Sequence, residues 1–284
     1  MNQNISILPD VQQSTPRIQL PIQQVGVEKI EVPFILESKL LGCKSMTALT
    51  SIRTNLSANI KGISMSRLLL TLNPYLNLPL KHGLIKSILL DLCMNLETTH
   101  SFIQFQFKLP IIRQSIVSDY SFPLYYNCKF EGQLIDEEFK FFEGVVVQYS
   151  SYCPCSAELC NHLRQNNDIG FPHAQRSFAE VLIEVKEQNT IWLEDLIESI
   201  ERAVTILPYP IIKRVDEQAI AKLAAENPMF VEDAIRNIMN ELNQNDLIYD
   251  YIIKCTHEES IHISEAIAVC WKGITNGLNG NYYL

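Results

Sequence analysis

The chain has 284 residues, 47% of them hydrophobic, and a mean hydropathy of +0.03, so it can bury one large core or two ordinary ones. A formal net charge of −9 and a pI near 5.2 argue against nucleic acid or an anionic membrane as the main partner, because an acidic surface repels phosphate. The sequence shows no run of 18 apolar residues and no signal-like N-terminus, and its eight cysteines suit buried thiols, a metal site or a catalytic thiolate in a reducing compartment. We therefore expect a cytoplasmic protein.

The first half of the chain predicts two strands, two helices and two more strands. Strands are indicated by alternating apolar and polar residues, and helices by an apolar period near 3.6. Ser64 is placed to cap the first helix. The predicted elements are strands over 18–36 and 47–62, helices over 64–76 and 80–97, and strands over 102–107 and 121–134.

The second half repeats this order, with a cysteine-rich loop between its first two strands. Thr190 is placed to cap the first helix, and Asn227 the second, with Pro228 at its first helical position. The predicted elements are strands over 139–152 and 177–187, helices over 190–204 and 227–243, and strands over 246–255 and 261–271.

This repeated order predicts an α+β protein made of two similar units, each an antiparallel sheet with a helix pair on one face. The sequence LIDEE interrupts the strands between residues 134 and 138, where we place the boundary. Residues 1–16 are polar and predict an N-terminal arm, residues 17–136 the first unit, and residues 137–284 the second.

Nearly all reactive side chains lie in the second half. The stretch SSYCPCSAELCNH contains Cys153, Cys155, Cys160 and His162, and His173 follows it. Thiolate, imidazole and carboxylate together suit zinc or a similar divalent ion. From these residues alone two interpretations stay open. One is a closed structural zinc site made by the three cysteines and His162, and the other is a catalytic site with one open coordination position.

The other candidate residues also have ordinary structural explanations. Glu232 and Asp233 on an amphipathic helix are typical of a solvated face. His262 in an apolar strand is typical of a hydrogen-bonded core histidine, and residues 257–259 are typical of a polar turn. None of these patterns indicates a particular reaction by itself.

Seven short motifs follow one another along the chain: LPDVQ, KGISMSR, CPCSAELC, PHAQRS, IIKRVDE, NPMFVEDAIR and ESIHIS. In this order they resemble the type IB GTP cyclohydrolase I family, from Leu8 to about Ala266. That family implies a bimodular tunnelling fold, and homotetramers with active sites at subunit interfaces. It implies conversion of GTP and water to 7,8-dihydroneopterin triphosphate and formate, the first step towards tetrahydrofolate, with a divalent zinc, manganese or iron ion.

The resemblance also implies residue roles. The implied metal ligands are Cys153, His173, Glu217 and His262; the implied catalytic groups are Cys153, Cys155, Glu259 and His262. The implied purine anchor is Glu232, because a carboxylate can accept both N1–H and the 2-amino group of guanine. The triphosphate would be bound by basic side chains, for which the candidates are Lys61, Arg67, Arg176, Lys213 and Arg214.

Two features depart from the family pattern. Ser64 stands where the family usually has histidine, and the segment between Cys155 and His173 is longer and adds Cys160 and His162.

Two rival functions remain. One is another tunnelling-fold enzyme, such as a deazapurine nitrile reductase that needs NADPH but no metal. The other is a non-catalytic oligomeric protein with a structural zinc knuckle.

Overall fold

The computed structural model describes residues 11–186, 189 and 191–283. Within these residues the chain forms an eight-stranded antiparallel sheet, with the strands in chain order, and six α-helices, which confirms the α+β class. The strands are β1 (Ile22–Ser38), β2 (Gly42–Leu56), β3 (His100–Gln114), β4 (Ser121–Ile135), β5 (Glu138–Tyr152), β6 (Ala174–Val185), β7 (Ile248–Glu258) and β8 (Ala266–Trp271). The helices are α1 (Met65–Leu72), α2 (His82–Leu96), α3 (Pro154–Gln165), α4 (Leu193–Val204), α5 (Arg214–Glu226) and α6 (Val231–Asn243).

The first compact unit contains α1 and α2, and its described part comprises residues 11–37, 43–106 and 130–141. Helix α2 buries Ile85 and Leu89 completely, as its apolar spacing predicts. A Cβ at Gly132 on β4 would lie 2.3 Å from Cγ2 of Ile85, so only glycine permits this close packing. Ser64 caps α1 as predicted, since its hydroxyl accepts a 3.4 Å hydrogen bond from the Arg67 amide.

The second compact unit contains α3 to α6, and its described part comprises residues 38–42, 107–129, 142–186, 189 and 191–283. Strands β5 to β8 pair antiparallel in this order. Helices α4 and α6 pack on each other, and α6 also packs on β7 and β8. Ile197, Ile200 and Ile238 are fully buried on the apolar faces of these two helices.

Several predicted boundaries in the second unit are wrong. The cysteine-rich stretch is not a loop, because α3 begins at Pro154, where a missing amide hydrogen costs nothing. Helix α6 begins at Val231, so Asn227 does not cap it; Asn227 instead ends α5, and its side chain donates to the Leu223 carbonyl. The last strand starts at Ala266 and not at residue 261. Thr190, the predicted cap of α4, lies outside the described residues.

The second unit was predicted to contain a helix pair, but its described residues form four helices, α3 to α6. The bounds 17–136 and 137–284 stay a prediction. Most of the predicted arm, residues 1–10, lies outside the described residues. Its remainder is bound to the segment after β2, where the Gln12 side chain donates to the Ile63 carbonyl at 3.0 Å. No described helix has the length and apolar character needed to cross a membrane.

Candidate active site

One cleft in the second unit gathers thiol, imidazole and carboxylate groups from distant parts of the sequence. Its volume is about 400 Å³. It lies where β5 and β7 end and where β6 and α6 begin. The lining residues are Cys153, His173, Gln175, Phe230, Val231, Glu232, His257, Glu259, His262, Ser264, Glu265 and Ala266. We call this site the Cys153 cleft.

A buried row of polar side chains lies beneath the cleft. Tyr149 on β5 pairs with Ser177 on β6, and Ser177 pairs with His257 on β7. All three residues are at most 1% exposed. Burial lowers the pKa of His257 to about 4, although the nearby Glu232 carboxylate opposes this shift. The His257 ring is therefore neutral at pH 7.

A second row crosses the same strands closer to the cleft. Ser151 on β5 pairs with Gln175 on β6, and the Gln175 amide donates to Oε1 of Glu259 at 3.2 Å. Glu259 lies directly after the end of β7, so this hydrogen bond holds it beside the start of β6.

Cys153 and His173 face each other across the strand ends. The Cys153 amide donates to the His173 carbonyl at 3.3 Å, which extends the pairing of β5 and β6. Cys153 is also the residue immediately before α3, and the N-terminus of a helix favours a negative charge. The Cys153 thiol therefore lies at a helix N-terminus that borders the cleft.

His173 has a buried nitrogen that no hydrogen bond satisfies among the described residues. Its Nδ1 lies 3.8 Å from Oε2 of Glu259, which is too long for a hydrogen bond, and the two side chains are only 15% and 17% exposed. Buried polar atoms nearly always have a partner, so an unpaired one needs an explanation such as an ion or a water molecule.

Glu232 reaches the cleft from the first turn of α6. The start of this helix is held near β5 because the Met229 amide donates to the Tyr152 carbonyl at 2.9 Å. The neighbouring Asp233 accepts from the Phe230 amide and pairs with Arg236 at 3.1 Å. Within the described residues no hydrogen bond or ion pair occupies the exposed Glu232 carboxylate, so it is available to a ligand.

The structure brings together five of the residues singled out from the sequence and leaves the others outside the cleft lining. The five are Cys153, His173, Glu232, Glu259 and His262. Those outside the lining in the same unit are Cys155, Arg176, Lys213, Arg214 and Glu217, all of which are exposed. Lys61 and Arg67 are exposed residues of the first unit.

The donor set of the cleft fits a divalent cation in chemistry. A thiol, an imidazole with a free buried nitrogen and a carboxylate are the ligand types that zinc and similar ions prefer. In the part of the chain that the structure describes, however, no three histidine, cysteine, aspartate or glutamate side chains form a ready-made metal cluster. The assignment of Glu217 as a ligand stays a prediction.

The structural zinc knuckle is not formed either. Its four proposed ligands lie on or next to α3, where Cys160 is buried, Cys153 is half-buried, and Cys155 and His162 are exposed. On a helix Cys155 and His162 lie on one side, two turns apart, whereas Cys160 lies on the opposite side. Among the described residues, no three histidine, cysteine, aspartate or glutamate side chains cluster here.

Sequence reasoning missed Gln175, Glu265 and the buried position of His257, which was interpreted as part of a polar turn. The predicted strand over 246–255 ends too early, because β7 extends to Glu258; continuing its alternation from Ile253 through Cys255 would have placed His257 on the same buried face. No local pattern marks Gln175, because its role depends on pairing with distant strands.

Comparison with known proteins gives a consistent result over most of the chain. The family model described as "Type I GTP cyclohydrolase folE2" matches residues 8–268. A relative named GTP cyclohydrolase FolE2 from Dinoroseobacter shibae is 32% identical over 275 residues, which are 94% of this chain and 75% of that protein. The protein of the same name from Paracoccus denitrificans is 32% identical over 94% of this chain and 85% of its own length.

The solved structures show a likeness of fold. A uricase from Arthrobacter globiformis superposes with a TM-score of 0.56 over 94% of this chain and 99% of its own, at 6% identity. A uricase from Bacillus fastidious gives a TM-score of 0.52 over 88% of this chain and 92% of its own, at 7% identity. These TM-scores indicate a shared architecture. At identities this low, the likeness carries no information about the reaction.

Proposed function

Because the chain belongs to the type I GTP cyclohydrolase folE2 family, we propose that the Cys153 cleft opens GTP at C8 and yields 7,8-dihydroneopterin triphosphate and formate. The GTP cyclohydrolase activity, and a place in folate biosynthesis, follow from this family and from relatives that match 94% of the chain. The assignment to this cleft depends on one observation: Cys153, His173 and Glu232, from three separate motifs, line the same cavity.

Glu232 is the proposed guanine anchor. Guanine presents N1–H and the 2-amino group side by side, and an ionised carboxylate accepts both as charge-assisted hydrogen bonds. Adenine offers no such pair of donors. The unoccupied Glu232 carboxylate at the start of α6 supports this role, because it can bind the base without first losing another partner.

A divalent zinc, manganese or iron ion is the proposed cofactor, held by Cys153, His173 and His262 with Glu217. Such an ion, when bound, supplies a water molecule of lowered pKa for attack on the purine. The free buried Nδ1 of His173 supports this proposal. Glu217 is exposed on α5 and does not line the cleft, unlike the other three.

Proton transfer is assigned to His262 and Glu259. Ring opening at C8, release of that carbon as formate and the later reclosure all move protons between nitrogen and oxygen atoms. A side chain that lines the cleft and can both give and take a proton serves these steps. His262 and Glu259 both line the cleft, on the short segment between β7 and β8. Cys155 is a second proposed catalytic thiol.

The basic residues and the assembly complete the proposal. Lys61, Arg67, Arg176, Lys213 and Arg214 are the candidates for the triphosphate, and their place outside the cleft lining agrees with a homotetramer whose sites form at subunit interfaces. The likeness to uricases supports a bimodular tunnelling fold. All eight cysteines are free, which supports a cytoplasmic location.

The decisive experiment is anaerobic incubation of the metal-free protein with GTP and zinc, manganese or iron. Formate is measured directly, and the pterin by its fluorescence after oxidation and dephosphorylation. We expect turnover with at least one metal, its loss on chelation, and its loss in Cys153→Ala. Turnover that survives both chelation and Cys153→Ala would show that the reaction does not depend on this cleft. An NADPH-dependent reduction of a deazapurine nitrile by the metal-free protein would favour the rival enzyme.

A further inference from the structure

A continuous chain of hydrogen bonds runs through the buried row beneath the cleft. The Tyr149 hydroxyl lies 2.9 Å from Nε2 of His257, and Nδ1 of His257 lies 3.2 Å from the Ser151 hydroxyl. The Ser151 hydroxyl lies 2.8 Å from that of Ser177. All four side chains are buried, so none of these bonds exchanges readily with solvent.

The chain uses both nitrogens of the His257 ring. A neutral imidazole donates from one nitrogen and accepts at the other. In one tautomer of His257 the Tyr149 hydroxyl donates to Nε2 and Nδ1–H donates to Ser151; in the other Nε2–H donates to Tyr149 and the Ser151 hydroxyl donates to Nδ1. Both nitrogens of the His257 ring then have a hydrogen-bond partner inside the protein. The ring is therefore held in one orientation where it lines the cleft.

Each strand of this network leads directly to a cleft residue. Ser151 lies two positions before Cys153, which directly follows the end of β5, and His257 lies two positions before Glu259, which directly follows the end of β7. Ser177 follows Gln175, which donates to Glu259. This polar network joins β5, β6 and β7 two residues before Cys153 and Glu259. It is therefore placed to determine the distance between these two cleft residues.

We propose that Tyr149, Ser151, Ser177 and His257 form a positioning network that fixes where Cys153 presents its thiol to a bound divalent cation and where the Glu259 carboxylate lies beside that site. This inference rests on the metal role proposed for the Cys153 cleft. Groups that hold metal ligands in place through hydrogen bonds typically change metal affinity or activity by about 10- to 100-fold when they are removed. A buried network that served stability alone would have no such effect on affinity.

The test compares metal affinity between Tyr149→Phe and a matched control, Tyr251→Phe. Each change removes one hydroxyl from a tyrosine at most 2% exposed, and the Tyr251 hydroxyl bonds to Asn243 at 3.1 Å, away from the cleft lining. Zinc and manganese affinities of the full-length, metal-free protein are measured by competition with a chromogenic chelator, and unfolding of the metal-free protein is measured alongside. We expect Tyr149→Phe to weaken metal binding about 10-fold or more, and Tyr251→Phe to leave it unchanged.

The outcomes separate this inference from the proposed function. If Cys153→Ala abolishes binding while Tyr149→Phe and Ser177→Ala bind as tightly as the wild type, the network has only a structural role and the inference is overturned. If Cys153→Ala itself binds normally, the cleft is not the metal site and both proposals fail. Should Tyr149→Phe not fold, Ser177→Ala decides alone: weaker binding supports the network, and unchanged binding overturns it.

Discussion

Glu232 and Asp233 are adjacent carboxylates in the first turn of α6, and the structure gives them different tasks. Asp233 accepts from the Phe230 amide, whereas Glu232 faces the Cys153 cleft. We predict that Glu232→Gln weakens GTP binding about 10- to 150-fold, because a charge-assisted hydrogen bond contributes about 1.5–3 kcal/mol. ATP, which lacks the two adjacent donors, should bind both proteins equally poorly. Calorimetric titration with an analogue of each nucleotide that cannot be opened at C8 measures the difference in affinity.

Asp233→Asn is the matched control for this prediction. It changes the neighbouring residue by the same chemistry, but it weakens a helix-capping contact and an ion pair with Arg236. We expect lower thermal stability with GTP affinity retained. Wild-type affinity for GTP in Glu232→Gln would exclude the anchor role.

Glu143 on β5 is a buried carboxyl group, 3% exposed, whose Oε2 has no hydrogen-bond partner among the described residues. Burial raises its pKa to about 8. Between its ordinary pKa and about 8 the unfolded chain is ionised at this residue and the folded chain is protonated. The contribution of Glu143 to stability is therefore complete at acidic pH, and it falls by up to about 1.4 kcal/mol per unit as the pH rises through this range.

Glu143→Gln should remove this pH dependence, because glutamine is neutral throughout. We predict that the free energy of unfolding of the variant rises relative to the wild type between pH 5 and pH 8, measured by urea denaturation. Glu138→Gln at the start of the same strand is the control, since that side chain is 72% exposed and stays in water in both states. Parallel wild-type and Glu143→Gln curves over this range would contradict the prediction.

At the scale of elements, Asp216 joins the first turn of α5 to the loop between β3 and β4. Its carboxylate accepts from the Lys213 and Val117 amides at 2.8 Å and from the Ser118 amide at 2.9 Å. Burial opposes ionisation, but the hydrogen bonds from the Ser118 hydroxyl and these amides outweigh it and lower the pKa of Asp216 to about 2. Its stabilising effect is present above the ordinary aspartate pKa and is lost as the pH falls towards about 2.

We predict that Asp216→Ala separates the loop between β3 and β4 from the first turn of α5. Hydrogen exchange should become faster at the amides of Val117 and Ser118, which lose their acceptor, while the amides in the middle of β6 keep their protection. Asp119→Asn is the control, because Asp119 is an exposed residue of the same loop that accepts only from the Gln114 side chain in the described structure. Unchanged exchange at residues 117 and 118 in Asp216→Ala would show that other contacts hold the loop.

The helices that the sequence predicts well are those with a strong apolar face. Helix α4 buries seven of its residues and α6 buries five, so their periodicity is visible in the sequence. Helix α3 buries only Cys160, and α5 buries only Asp216 and Ala224, so neither has an apolar stripe. Their signals are local ones: Pro154 at the first position of α3, and the acidic first turn of α5.

The candidate site divides in the same way. Separate motifs in a fixed order along the sequence predicted Cys153, His173, Glu232 and Glu259 as site residues, and all four line the cleft. The buried row beneath them could not be predicted, since it depends on the register of three strands separated by more than 20 residues. A register shift of one residue would turn this entire row to the other face.

At the scale of the whole molecule, the net charge of −9 poses a problem for a protein that binds an anionic triphosphate. The described cleft lining contains acidic, thiol, imidazole and apolar groups but neither lysine nor arginine, so the positive charge must come from residues outside it. A neighbouring copy of the chain can supply such residues when the active site forms at an interface.

This arrangement can be tested by mixing two inactive variants. Cys153→Ala removes a cleft group, and Arg67→Ala removes a basic residue of the other unit; each protein should be inactive alone. If an active site takes these residues from different chains, mixed oligomers formed by co-expression contain some intact sites, and about a quarter of the wild-type activity should return. The pair Cys153→Ala and His173→Ala is the control, because both residues belong to one cleft and no mixed site is intact. Equal inactivity of both pairs would mean that each chain supplies a complete site, whereas full activity of Arg67→Ala alone would remove Arg67 from the triphosphate site.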